Sequence, residues 1–264
     1  MQILSRYLPR TDFSSYEDFL AGYRVEVPEG FNFAFDVVDQ RAALTPDARA
    51  LVWCDAAGRE ASFTYAQVKA WSDRAANVFA AAGVGKGDAV MLVLKRRFEF
   101  WFALLGLHKL GAVAIPATHL LREKDIVYRV EAAGVRMIVS VNDPDLIAGI
   151  EAAAARTPGL RAKALVGGAR EGWLNFGAAL ERAPTAFARP GGEAAAGGRD
   201  PMLIYFTSGT TGLPKMVLHD FTYPLGHLLT ARFWQNVAAA ASISRTSSAS
   251  STLTIIRTSA ARIR

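Results

Sequence analysis
Ala89-Val90-Met91-Leu92-Val93-Leu94 is an unbroken apolar run of strand length. Such a run suits a strand covered on both faces, as in a parallel sheet flanked by helices. The rest of the chain repeats the unit. A helical pattern over 98–110 ends at Gly111, and Val113-Ala114-Ile115 is a strand stopped by Pro116. A helix over 124–133 ends at Gly134 and leads into the strand Arg136-Met137-Ile138-Val139-Ser140. An alanine-rich helix over 144–155 precedes the strand Ala162-Lys163-Ala164-Leu165-Val166. This β–α–β spacing predicts an α/β fold with a mainly parallel sheet flanked by helices. Upstream, the apolar segments around Asp55-Ala56-Ala57-Gly58 predict a hairpin. Thr64-Tyr65-Ala66-Gln67 has the form of a capping box. It opens a helix whose Val68, Trp71, Ala75, Val78 and Phe79 share one stripe.

Composition narrows the class. The chain has 264 residues, 51% hydrophobic and 20% charged, which excludes wholesale disorder. A lone cysteine, Cys54, excludes a disulfide scaffold and a cysteine zinc cluster, and it is expected buried and inert. No apolar run approaches the ~20 residues of a membrane span. The first residues, Met1-Gln2-Ile3-Leu4-Ser5-Arg6, hold no apolar signal core. A cytoplasmic location is the expectation. The net charge of +6 is no nucleic-acid footprint. Arg245, Arg257, Arg262 and Arg264 supply four of those charges from residues 238–264, which hold no acid.

Texture divides the chain further. Residues 1–237 read as one partial domain. Within it, 184–201 is rich in Gly, Ala and Pro and is expected as a mobile linker. Residues 238–264 use only Ala, Ser, Thr, Ile, Leu and Arg. Three readings fit that stretch: a flexible low-complexity tail, out-of-frame translation, or a basic amphipathic segment.

The chemistry concentrates in Tyr205-Phe206-Thr207-Ser208-Gly209-Thr210-Thr211-Gly212-Leu213-Pro214-Lys215. A buried-type strand, Met202-Leu203-Ile204-Tyr205-Phe206, runs into a loop of hydroxyls and glycines closed by a lysine. Gly209 and Gly212 permit close backbone approach to a ligand. Successive N–H groups then form a nest for phosphate oxygens. Thr207, Ser208, Thr210 and Thr211 add hydroxyl donors, and Lys215 adds a mobile cation. Leu213 and Pro214 lie between, the proline restricting the chain just before the lysine. The spacing is not that of a Walker loop. His108, His119, His219 and His227 lack metal-ligand spacing and are expected as structural or surface residues; His219 and His227 follow the loop and are candidates for the border of an acyl pocket. Lys95-Arg96-Arg97 reads as a solvated loop or as an attractor for phosphate.

The segment from Thr207 to Lys215 resembles the phosphate loop of the adenylate-forming enzymes, which include acyl-CoA synthetases, adenylation domains and luciferases. Leu107-His108-Lys109-Leu110-Gly111-Ala112-Val113-Ala114-Ile115-Pro116 resembles that superfamily's early K-x-G-A-x-x-x-P block. Asn32-Phe33-Ala34-Phe35-Asp36-Val37-Val38-Asp39 and Tyr223-Pro224-Leu225-Gly226-His227 resemble its medium-chain acyl-CoA synthetase branch. The resemblance implies the first half of the large N-terminal domain of these enzymes. It also implies ATP, Mg2+ and coenzyme A as cofactor and co-substrates and a small carboxylic acid as substrate, with no nucleic acid or transmembrane segment. The acid attacks the α-phosphorus of ATP to form an acyl-adenylate, and the coenzyme A thiol displaces AMP. By this resemblance Thr207, Ser208, Gly209, Thr210, Thr211, Gly212, Leu213, Pro214 and Lys215 hold the nucleotide phosphates. Lys215 stabilises charge and is neither nucleophile nor base, and no residue is assigned to metal. The superfamily's aromatic-Gly-x-Thr-Glu and Thr-Gly-Asp strings are not found in these residues. That implies a truncated chain, inactive alone. A non-catalytic remnant that binds nucleotide or a partner, and a P-loop-type phosphotransferase, remain as alternatives.

Overall fold
The apolar run at 89–94 becomes the centre of a sheet. The computed structural model describes residues 3–207 and 212–234, together with two short strands at 242–243 and 254–257. They fall into two units, Met1–Lys69 with Gly197–Arg199 and Phe221–Arg264, and Ala70–Ala196 with Asp200–Asp220.

In the first unit, helix α1 (Tyr16–Gly22) starts at Ser15, whose side chain accepts from the Asp18 N–H. A π-turn (Ala34–Asp39) continues into α2 (Gln40–Leu44). The predicted hairpin is present as β1 (Arg49–Cys54) and β2 (Glu60–Thr64), paired antiparallel. Strand alternation turns Leu51 and Trp53 inward. Cys54 is therefore half-buried, not buried as the sequence suggested. The capping box opens α3 (Tyr65–Ala81): the Gln67 N–H donates to Thr64 Oγ1 and the Thr64 N–H donates to Gln67 Oε1. Tyr7, Phe31 and Leu225 form a small core, and Leu225 lies on α8 (Tyr223–Leu229). Phe13, Phe19, Tyr23 and Phe233 form an aromatic cluster beside α1. The pairs at Ser242–Ile243 and Thr254–Arg257 add two antiparallel strands beside β1. The other residues of the 238–264 stretch lie outside those described.

The second unit holds a seven-stranded sheet. Its strands are β3 (Ala89–Val93), β4 (Val113–Pro116), β5 (Val135–Val141), β6 (Ala162–Val166), β7 (Leu174–Asn175), β8 (Pro201–Thr207) and β9 (Lys215–Asp220). The order is β7-β6-β5-β3-β4-β8-β9. Every pair is parallel except β8 with β9. Each residue of β3 is buried, as expected of a strand covered on both sides. Helices α4 (Glu99–Leu110), α5 (Glu123–Ala133), α6 (Pro144–Arg156) and α7 (Phe176–Arg182) form the connections. Helix α4 stops at Gly111, whose φ of +71° is the left-handed cap that glycine favours.

Helix α4 is apolar nearly all round, so it is a core helix. Trp71 of α3 stacks on its Phe102 at 5.7 Å. At Gly106 the two helices approach so closely that a Cβ would lie 2.7 Å from Ala75 Cβ and 2.8 Å from Ala76 N. One turn further along, Lys109 Nζ lies 2.5 Å from Asp73 Oδ1, with both side chains fully buried. Residues 184–195 are hydrogen-bonded within this unit through their carbonyls. Asn77 Nδ2 donates to the Pro184 and Ala186 oxygens, and Lys86 Nζ donates to those of Glu193 and Ala195.

His108 is buried in α4, and that burial pushes its pKa from an ordinary 6.5 down to about 4. The folded value lies below the unfolded one. Stability from the neutral ring is thus complete above pH 6.5 and is lost as pH falls towards 4. The full loss amounts to about 3 kcal/mol. Urea midpoints of the wild type and His108→Leu, compared at pH 7 and pH 4, are expected to diverge, with the variant losing less on acidification. Parallel losses would refute the assignment.

Candidate functional site
In a parallel sheet the loops after the strands gather at one edge, where open α/β folds place their ligands. The loop after β8 leaves that edge and returns as β9. The strand register pairs Thr207 with Lys215 and Phe206 with Met216. Thr207 Oγ1 lies 3.4 Å from the Lys215 carbonyl oxygen as its donor. The first and last residues of the sequence-predicted loop are thereby brought together at the mouth of one hairpin, both exposed. Gly212 has φ +135°, a conformation that side-chain-bearing residues rarely adopt, so the return leg needs glycine here. Leu213 is exposed and Pro214 half-buried. Ser208, Gly209, Thr210 and Thr211 lie outside the described residues.

The loop's stems rest on α5. Tyr128 Oη donates to the Pro214 carbonyl oxygen at 2.8 Å. The Tyr128 ring meets Phe206 edge-on at 6.0 Å, and the Arg129 guanidinium lies 5.0 Å from the same ring centre. Arg129 is buried, which lowers its pKa, and Nη1 donates to the Asp125 carbonyl oxygen. Nothing in the sequence around Tyr128 and Arg129 distinguishes them from other helical residues, and sequence reasoning missed both.

The other candidates separate. Lys95 follows β3 at the same sheet edge, with φ +51° and its ammonium 2.8 Å from Asp143 Oδ2. Arg97 is paired with Glu99. Two of the three basic side chains of that loop are thus engaged with carboxylates. His219 on β9 lies edge-on to Tyr205 at 5.8 Å. His227 belongs to the other unit, against Tyr223 at 4.6 Å. Among the described residues no three His, Cys, Asp or Glu side chains converge as a metal site. Nor is any described helix long and apolar enough to cross a membrane.

A mainly parallel sheet flanked by helices, with β8 and β9 adding an antiparallel pair at one side, defines an α/β fold. The profile of the family described as AMP-binding enzyme matches residues 38–252, and the chain belongs to that family. It is 37% identical over 235 residues to the human acyl-coenzyme A synthetase ACSM5, mitochondrial, covering 86% of this chain and 39% of that protein. Against the mouse acyl-coenzyme A synthetase ACSM3, mitochondrial, identity is 34% over 237 residues, covering 86% and 40%. The chain thus spans about two-fifths of the length of these relatives. Among solved structures, the anthranilate CoA ligase AuaEII in complex with anthranoyl-AMP superposes with a TM-score of 0.68 at 24% identity, over 81% of this chain and 39% of that one. The inhibitor-bound N-terminal domain of FACL13 from Mycobacterium tuberculosis gives 0.60 at 29% identity, over 72% and 44%. These neighbours bear out the expected mainly parallel sheet flanked by helices.

Proposed function
We propose that this chain is the polyphosphate-gripping part of an acid–CoA ligase that works through an acyl-adenylate. The observation that carries the reading is the hairpin mouth, where Thr207 and Lys215 pair across a glycine- and hydroxyl-rich loop in a member of the AMP-binding enzyme family. A carboxylate oxygen of a medium-chain or related acid attacks the α-phosphorus of ATP, and the bond to pyrophosphate breaks. The thiol of coenzyme A then attacks the acyl carbon and releases AMP. Thr207, Ser208, Gly209, Thr210, Thr211, Gly212, Leu213, Pro214 and Lys215 would orient the outer phosphates and neutralise the charge that grows on leaving pyrophosphate. Magnesium accompanies ATP in this reading, as the counter-ion of its phosphates. The names of the acyl-coenzyme A synthetase relatives support the substrate class.

The same reading has the chain bind polyphosphate without turning over. Its residues hold neither the aromatic-Gly-x-Thr-Glu nor the Thr-Gly-Asp string. Cytoplasmic placement stays part of the proposal; the relatives named above are mitochondrial, and cell fractionation distinguishes the two. Titration calorimetry with pyrophosphate, alongside ATP–pyrophosphate exchange with butyrate through decanoate, tests the function. Binding without exchange is expected. Absence of binding refutes the grip, robust exchange refutes the inactivity, and γ-phosphate transfer would reassign the chain as a phosphotransferase.

A further inference from the structure
We infer that Tyr128 is a positioning residue for the phosphate loop, acting through the peptide that joins Pro214 to Lys215. The inference rests on the proposed function and adds a residue outside the loop. Pro214 has no N–H, so its carbonyl is its one backbone hydrogen-bonding group, and its φ is held near −65° by the ring. The carbonyl accepts from Tyr128 Oη at 2.8 Å. A peptide group is planar, so fixing that oxygen also fixes the direction of the Lys215 N–H and the point from which the lysine side chain departs. The cation is thereby aimed from a helix, not left to the loop's own conformational freedom.

The neighbouring residue secures the other stem. Arg129 sits over the Phe206 ring while Tyr128 meets the same ring edge-on. Phe206 immediately precedes Thr207 and is paired with Met216. Two consecutive residues of α5 therefore hold the strand entering the loop and the strand leaving it. The helix is itself anchored at its start, where the Arg122 N–H donates to Asp125 Oδ2 at 3.1 Å. An arrangement needed only for packing would be satisfied by the rings; the hydroxyl on the proline carbonyl has a directional use.

Calorimetric titration of the full chain with inorganic pyrophosphate tests this, using wild type, Tyr128→Phe, Lys215→Gln and the double variant. Tyr128→Phe keeps the ring against Phe206 and removes one hydrogen bond. Its affinity is expected to fall about fivefold, the scale of a single such bond. Because Tyr128 acts through the lysine, the same change made in the Lys215→Gln background is expected to fall by less than about twofold. Equal affinity of Tyr128→Phe and wild type overturns the inference. So does an equal loss in both backgrounds, which marks a general structural effect, and so does a Tyr128→Phe chain that fails to melt cooperatively. Failure of the wild type to bind removes the proposed function, and this inference with it.

Discussion

Replacing Lys109 with methionine is expected to destabilise the second unit by about 3–5 kcal/mol. The side chains of Lys109 and Asp73 are 0% exposed and 2.5 Å apart. Methionine fills much the same volume, so the loss is electrostatic: the Asp73 carboxylate keeps its desolvation and loses its cation. The effect lies in breaking one half of the pair. Lys109→Met combined with Asp73→Leu is therefore expected to recover most of the loss, since apolar replacement of a whole buried pair is often neutral or better. Urea denaturation of the two variants checks this. A double variant as unstable as the single one would show that the loss comes from packing and not from charge. The pair also gives a physical reason for the lysine in the K-x-G-A-x-x-x-P block. It ties α4 to α3 one turn beyond Gly106, where the backbones are too close for a side chain to intervene.

Lys215→Gln is expected to weaken pyrophosphate binding by roughly 10- to 100-fold, the scale of a hydrogen bond to a charged group. Lys215 is exposed at the start of β9, so the stability of the fold is expected to change by less than about 0.5 kcal/mol. Lys215→Arg keeps the cation and is expected to retain much of the affinity. Raising the salt concentration is expected to narrow the gap between wild type and Lys215→Gln, because exposed charges are screened. Equal affinities of wild type and Lys215→Gln at low salt would remove the lysine from the binding site.

The legible parts of this fold are those with local causes. The run at β3 announced its burial because both faces of a central strand must be apolar. Thr64 with Gln67, and Gly111 after α4, are self-contained cap chemistry, so their positions agree with the expectation. Helix α7 and the two-residue strand before it were missed, since seven residues starting at Phe176 are too short for a periodic stripe. The Gly, Ala and Pro of 184–201 carry no local sign of what holds the stretch. Its carbonyl partners, Asn77 and Lys86, lie more than a hundred residues earlier, where composition has no access to them. The loop is legible from its residue types alone. Its support from Tyr128 was invisible for the same reason as the Asp73–Lys109 pair: each joins residues that only the strand order and helix packing bring together.

The parallel pairing of β8 with β4 has a kinetic corollary. Ala114 and Leu203 are register partners across most of the second unit's length. A ribosome therefore exposes β4 as an open edge while it makes the three strands and three helices in between. That edge is sealed only when residues beyond 203 emerge, and the hairpin that follows is the last piece of this sheet to be synthesised. Long-range pairing of this kind is slow to form, and the nascent chain is vulnerable until it does. Chaperone demand during translation should accordingly peak before the hairpin appears and fall once it has docked.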